Sequence, residues 1–133
     1  MTKQRQYVNK YGGGTTREIT GMWPLISIVL KTREYTVRDK LNFMVGSMFS
    51  LRAMWDEVIH TNLFKEIDSM QLPVYILHGV HDYTTPYAVA KAFYEQLQAP
   101  EKAFFSFEHS AHSPVMEEVE KFNAIVRGLA EKY

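Results

Sequence analysis

The stretch from Leu72 to Pro86, L-P-V-Y-I-L-H-G-V-H-D-Y-T-T-P, constrains the fold of this chain more than any other. A short apolar run, Val74 to Leu77, stops at a corner that contains glycine, and Thr85-Pro86 then open a helix. The order strand, loop, helix is typical of an open α/β sheet, in which catalytic groups gather beyond the carboxyl ends of the strands. Asp82 lies in this loop and is therefore a candidate catalytic residue.

The pattern before Pro73 is helical. Thr36 is predicted to cap a long helix, with Asp39 three residues on as an imperfect capping box. Apolar residues then recur at steps of three and four from Leu41 to Ile59, which is helical periodicity. We expect this stripe, rich in methionine and aromatic residues, to be ordinary core, with substrate contact as the alternative.

The period changes after Pro73. The predicted order is a strand (Val74 to Leu77), a helix (Pro86 to Leu97), a strand (Phe104 to Phe107) and a helix (Pro114 to about Glu131). Glu117 and Glu118 near the start of the last helix suit its dipole. The sequence thus predicts an α/β protein: a helical region at residues 1–70, then a β-α-β-α unit at residues 71–133 with a right-handed crossover.

Composition excludes several classes of partner. Fifteen basic and fifteen acidic residues cancel, so the chain has no basic surface for nucleic acid, and it has no cysteine for disulfides or thiolate metal sites. The longest apolar run, Leu25 to Leu30, is far shorter than the roughly 20 residues that cross a bilayer. The amino terminus, Met1 to Tyr11, is polar and basic and lacks the apolar core of a secretion signal. We expect a soluble, cytoplasmic protein with no membrane partner.

The second predicted strand is followed by E-H-S-A-H-S-P, which contains His112. His112 therefore lies just before a helix, and Asp82 has the same position after the first strand. Two neighbouring parallel strands would bring both residues to one edge of the sheet, where an aspartate can fix the histidine tautomer and support its imidazolium. An alternative uses the same loops as a metal site. In that interpretation His78, His81, His109 and His112 join Asp82 as ligands of zinc.

Three segments resemble a known family: Leu72 to Pro86, Ala99 to Lys102, and Ser110 to Pro114. They are similar to the carboxyl-terminal half of α/β-hydrolases, particularly the proline-iminopeptidase-like members. In that family the aspartate of a G-x-x-D-x-x-T-P segment is the acid of the catalytic triad, and the histidine of an S/G-x-H-S/x-P segment is its base. The resemblance implies that Asp82 is the acid and His112 the base.

The resemblance also implies that the helical region at residues 1–70 is a cap that shapes substrate choice, with Trp23, Met48 and Trp55 as candidate substrate contacts. The nucleophile of the family lies on a G-x-S-x-G turn, which this chain lacks. Ser47 is the nearest imitation, but it has no second glycine and lies within a helical pattern.

We therefore expect the carboxyl-terminal portion of a serine hydrolase that carries the acid and base and is inactive alone. In triad proteases, loss of the nucleophile costs on the order of a millionfold in rate. Substrates of the complete enzyme would be amino-terminal prolyl peptides or small carboxylic esters, and the resemblance implies no cofactor.

The alternative function is a non-catalytic module that associates with itself. A sheet of two parallel strands leaves the edge of Val74 to Leu77 unpaired, and unpaired edges recruit other strands. We expect a homo-oligomer formed through this edge and through the exposed apolar face of the cap.

Overall fold

The computed structural model describes residues 3, 7, 8, 11, 14–18 and 22–132, which form a mixed α/β structure with a two-stranded parallel sheet. Its elements within residues 22–132 are α1 (Met22–Lys31), α2 (Val37–His60), α3 (Leu63–Glu66), β1 (Val74–Gly79), α4 (Tyr87–Gln96), β2 (Lys102–Phe107), α5 (Pro114–Glu117) and α6 (Val119–Ala130). No helix in this part of the chain is both long and apolar enough to cross a lipid bilayer.

The described residues fall into two units. One unit, Met22–Glu66, contains α1, α2 and α3. The other joins the described residues of Met1–Gly21 to Ile67–Tyr133 and contains the sheet with its helices. The predicted division between residues 70 and 71 lies close to the later of these boundaries, and no earlier division was predicted.

Helix α2 begins with the capping box that the sequence predicts. Thr36 Oγ1 accepts a hydrogen bond from the Asp39 backbone N–H at 3.2 Å, and Asp39 Oδ2 accepts one from the Thr36 N–H at 2.9 Å. These bonds satisfy two N–H groups that a helix start otherwise leaves without partners. The hydrogen bonds from Thr36 also hold the pKa of Asp39 below its usual value.

The prediction that the apolar stripe of α2 is core is wrong. No residue of α2 is buried, and the exposed fraction of its large apolar residues runs from 40% at Met44 to 76% at Val37. Periodicity shows which side of a helix is apolar, but it does not show that another element covers that side. Helices α1 and α3 are 10 and 4 residues long, so they offer little surface to cover a helix of 24.

The predicted order of strand, helix, strand and helix after Pro73 is confirmed. Strands β1 and β2 are parallel and in register from the pair Val74 and Lys102 to the pair Gly79 and Phe107. Each strand is two residues longer than its apolar run, since β1 continues through His78-Gly79 and β2 already begins at Lys102. Backbone pairing needs no apolar side chain, and an apolar run therefore underestimates the length of a strand.

The carboxyl end of the crossover helix α4 is fixed by hydrogen bonds from neighbouring segments. Gln98, just after α4, accepts from Met70 N–H at 2.8 Å and donates to the Asp68 carbonyl at 2.9 Å. The Lys102 ammonium donates to the carbonyls of Tyr94 and Leu97, each at 2.7 Å. A cation at a helix carboxyl end satisfies free carbonyls and suits the helix dipole.

Several of the buried residues of the sheet unit lie where the two strands end. Phe107, Ser110 and Ala111 are fully buried, and Asp82 is 2% exposed. The predicted final helix is divided at Glu118, whose backbone (φ −126°, ψ 57°) leaves the helical region between α5 and α6. Two polar side chains, those of Asp82 and Ser110, are thus buried at the carboxyl edge of the sheet, which indicates a polar site there.

Candidate active site

The structure brings Asp82 and His112 together at the carboxyl edge of the sheet. Asp82 lies in the loop from β1 to α4 and His112 in the loop from β2 to α5, and Asp82 Oδ2 is 2.7 Å from His112 Nδ1. The side chain of Asp82 is 2% exposed, whereas that of His112 is 46% exposed. The carboxylate is therefore enclosed by protein, and the imidazole remains accessible from solvent.

The Asp82 carboxylate also accepts hydrogen bonds from its own loop. Its Oδ1 accepts from the backbone N–H groups of Thr84 at 2.8 Å and Thr85 at 3.0 Å, and its Oδ2 accepts from Thr85 Oγ1 at 2.7 Å. Burial raises the pKa of Asp82, but the hydrogen bonds from His112, Thr85 and Thr84 outweigh burial and hold this pKa below its usual value. Asp82 is consequently a fixed anion at neutral pH.

The Asp82 carboxylate determines which ring nitrogen of His112 carries the proton. A carboxylate can only accept, so Nδ1 of His112 must be the protonated ring nitrogen, and Nε2 of the neutral ring is then free of a proton. Thr85 Oγ1 lies 3.5 Å from the same Nδ1 and helps to enclose it. An imidazole held in this tautomer can take up a proton at Nε2 while the aspartate stabilises the resulting charge.

Two glutamates hold the loop that carries His112. Glu118 Oε2 accepts from Ser110 Oγ at 2.7 Å and from the His109 N–H at 2.9 Å, and Glu117 Oε2 accepts from the Ala111 N–H at 2.8 Å. Burial raises the pKa of Glu118, but the hydrogen bonds from Ser110 and His109 lower it below its usual value. The sequence accounted for both glutamates by the helix dipole alone and missed this role, because no local pattern links them to the loop.

A second missed contribution comes from residues 14–18. The Gly14 carbonyl accepts from the His112 N–H at 3.4 Å, and the Arg17 N–H donates to Glu117 Oε1 at 2.7 Å. Glu117 therefore bridges this segment and the histidine loop. Residues 14–18 were predicted to belong to the helical cap region. Their contact with the histidine loop was missed because a contact across about a hundred residues leaves no local pattern in the sequence.

Gly79 allows the two loops to approach each other. A Cβ atom at this position would lie 2.0 Å from the Ala111 carbonyl oxygen and 2.4 Å from that of Ser110. A backbone hydrogen bond also joins the loop after β1 to the loop after β2, since the His81 N–H donates to the Ser110 carbonyl at 3.0 Å. Only glycine leaves room for this backbone approach.

The alternative of a metal site receives no support. His78 Nε2 donates to the Thr85 carbonyl at 2.9 Å, and it lies 3.8 Å from Asp82 Oδ2. Within residues 22–132 and the few described residues before them, the structure has no group of three or more histidine, aspartate or glutamate side chains arranged to hold a metal ion. His78 instead helps to fix the loop that carries Asp82.

The remaining predicted site residues lie elsewhere. Met48 and Trp55 are on α2, 53% and 49% exposed, and their predicted contact with substrate stays a prediction. The side chain of Trp23 lies outside the described part of the chain. Ser47 is within α2.

An open cavity of about 580 Å³, lined by Tyr7, Val8, Tyr11 and Tyr83, occurs in the unit that contains Asp82 and His112. Tyr83 directly follows Asp82 in the sequence. The sequence did not indicate this cavity, because the tyrosines come from segments far apart in the chain.

Comparison with known proteins finds one relative of this chain. The chain is 36% identical over 110 residues to a Bacillus subtilis (strain 168) protein named probable aminopeptidase YbaC. The match covers 83% of this chain and 35% of the relative, so the chain spans about a third of the length of that protein. No family model matches the chain, and no solved structure matches it.

Proposed function

We propose that Asp82 and His112 are the acid and base of a serine hydrolase with the α/β-hydrolase fold, and that the helical region within residues 1–70 is its cap. The observation that carries the proposal is the 2.7 Å hydrogen bond between a buried aspartate and a half-exposed histidine at the ends of two parallel strands. The similarity to a protein named probable aminopeptidase supports a peptidase among the hydrolases.

In this mechanism Nε2 of His112 removes the proton of a serine hydroxyl as that oxygen attacks the carbonyl carbon of the substrate. The imidazolium then returns the proton to the leaving amine, and a water molecule releases the acyl group by the same two proton transfers. Asp82 holds the imidazole in the tautomer that this reaction needs and stabilises its positive charge. The loop contacts of Glu117 and Glu118 keep the base in place.

The name of the relative supports a proposal for the substrate class. An aminopeptidase cleaves the first residue from a peptide, and we favour peptides with a free amino terminus, prolyl peptides among them, over small carboxylic esters. Both share the carbonyl chemistry that an Asp-His pair assists.

The serine nucleophile of this reaction is not on a G-x-S-x-G turn of the 133 residues. In the proposed enzyme the nucleophile and the oxyanion hole are supplied by polypeptide outside this sequence. The chain by itself is then expected to be without hydrolase activity.

Complementation tests the proposal. The chain is co-expressed with the portion of the Bacillus subtilis relative that lies outside the 110-residue match, and hydrolysis of prolyl and alanyl p-nitroanilides and of p-nitrophenyl acetate is measured. We expect activity from the mixture only. Asp82→Asn should reduce kcat by about 10⁴-fold and His112→Ala by at least as much. His109→Ala, a histidine removed from the same loop, is the matched control and should retain activity.

A second measurement does not depend on complementation. The ring nitrogens of His112 are observed by NMR in the chain alone, where we expect the Nδ1-protonated tautomer at neutral pH and its loss in Asp82→Asn. A neutral ring protonated at Nε2, or complemented activity that survives His112→Ala, would refute the assigned base.

A further inference from the structure

Helix α2 presents an apolar face that nothing in the described chain covers. Its 24 residues include none that is buried. Residues spaced by three and four turn toward one side of a helix, and on this side of α2 they are Val37, Leu41, Met44, Met48, Leu51 and Trp55, each at least 40% exposed. Contiguous exposed apolar surface of this kind marks a protein interaction site.

The charges beside this face indicate what covers it. Arg38 and Asp56 are 18 residues apart, which is five helical turns, so they lie on the same flank of α2 near its opposite ends. A second copy of α2 running in the opposite direction would set each Arg38 against Asp56 of the other copy. A parallel copy would instead set Arg38 against Arg38 and Asp56 against Asp56, which is repulsive.

We propose that α2 pairs with α2 of a second copy of this chain in an antiparallel contact centred on Met48. The pair has twofold symmetry, in which Met48 meets Met48, Met44 meets Leu51, and Leu41 meets Trp55. The largest side chain of the face, Trp55, thus meets the smaller Leu41, and flexible methionines fill the centre of the contact. The two helix dipoles also oppose each other, which is favourable for neighbouring helices. This inference does not depend on the proposed catalytic role of Asp82 and His112.

Sedimentation equilibrium of the full chain at micromolar concentration tests the pairing. We expect a dimer that Met48→Glu weakens at least tenfold in Kd, because it places two carboxylates against each other at the twofold axis. Ser50→Glu adds the same charge on the opposite side of α2 and should leave Kd unchanged. Circular dichroism of both variants verifies that α2 remains helical.

Cross-linking tests the direction of the helices and does not require Met48→Glu to fold. The chain has no cysteine, so a single introduced cysteine can link only to its copy. Met48→Cys should form a disulfide dimer on oxidation, whereas Val37→Cys should not, since an antiparallel pair separates the two Val37 positions by roughly 30 Å.

Three outcomes would overturn the proposal. One is a monomer at all concentrations tested, whatever else covers the face. Another is a dimer that Met48→Glu and Ser50→Glu affect equally, which would point to a different contact such as the edge of β1. The third is ready cross-linking of Val37→Cys, which would mean that the helices are parallel.

Discussion

Gly79, the last residue of β1, lies against the loop that carries His112. We predict that Gly79→Ala destabilises the chain by about 2 kcal/mol, because its Cβ would overlap the backbone carbonyls of Ser110 and Ala111, which cannot move aside as a flexible side chain can. Urea unfolding measures this loss, and the NMR signals of the His112 ring should show the displaced loop.

Gly128→Ala is the matched control for this prediction. Gly128 lies within α6 and a Cβ there would have no atom within 4 Å. Alanine in an open helical position should therefore stabilise the chain, by about 0.5 to 1 kcal/mol. Equal destabilisation by the two substitutions would show that the loops are not packed as described.

Asp82 gives the chain a pH dependence of known sign. Its pKa in the folded chain lies below the usual value of 3.8, so the folded state binds this proton less readily than the unfolded state. The stabilisation that the Asp82 charge contributes is therefore complete at pH values above the usual pKa of 3.8. It is lost as the pH falls through the lower pKa of the folded chain. We predict that the advantage of wild type over Asp82→Asn in unfolding free energy shrinks as the solution is acidified below 3.8.

Urea unfolding of the two proteins from neutral pH into this acid range provides the measurement. Thr85→Val, which removes one donor to the carboxylate, should move the loss toward higher pH. An advantage that stays constant or grows as the pH falls below 3.8 would contradict the assignment of Asp82 as the hydrogen-bonded anion.

The proximity of Asp82 and His112 was predictable from the sequence because each residue follows a short apolar run and precedes a helix with proline near its start. That arrangement fixes the end of a parallel strand, and neighbouring strands align their ends. The hydrogen bonds that hold the loop of His112 in place were not predictable. Glu117 bonds to Arg17 and Ala111 across separate segments, and which distant backbone groups meet is decided only when the whole unit is packed.

At the level of elements, the division between α5 and α6 has a structural purpose. Glu118 leaves the helical backbone conformation at the point where its carboxylate accepts from Ser110 and His109. We predict that Glu118→Ala destabilises the chain by about 2 kcal/mol, because the buried hydroxyl of Ser110 and the His109 N–H lose their acceptor. Amide hydrogen exchange should be faster at His109 in this variant.

Glu120→Ala removes a carboxylate from an exposed position two residues later on α6 and serves as the comparison. It should change the unfolding free energy by less than about 0.5 kcal/mol. Faster exchange at His109 in Glu120→Ala, or none in Glu118→Ala, would contradict the role given to Glu118.

The helices and strands themselves were largely predictable. Proline at residues 73, 86 and 114 and glycine at residue 79 separate the apolar runs, and a change of period distinguishes strand from helix. The capping box of Thr36 also followed from two residues alone. The exposure of α2 could not be predicted from the sequence. An amphipathic pattern is the same whether the apolar side of the helix packs within the chain or against another copy.

At the scale of the whole molecule, the two units of the described chain differ in the features that they contain. The unit with the sheet contains the Asp82–His112 pair, and the unit formed by Met22–Glu66 contains the uncovered face of α2. The predicted boundary at residues 70 and 71 assigned residues 14–18 to the helical part, although they bond to the loop of His112. One linear boundary cannot describe a unit built from two separated segments.

The four hydrogen bonds that hold the Asp82 carboxylate form within the chain, from Thr84, Thr85 and His112. In the proposed enzyme, Asp82 and His112 would therefore already be oriented before any nucleophile arrives. If a serine is supplied by a separate polypeptide, no slow rearrangement of this pair precedes chemistry. The appearance of activity would then be governed by the encounter of the two polypeptides, and its rate would rise in proportion to their concentration.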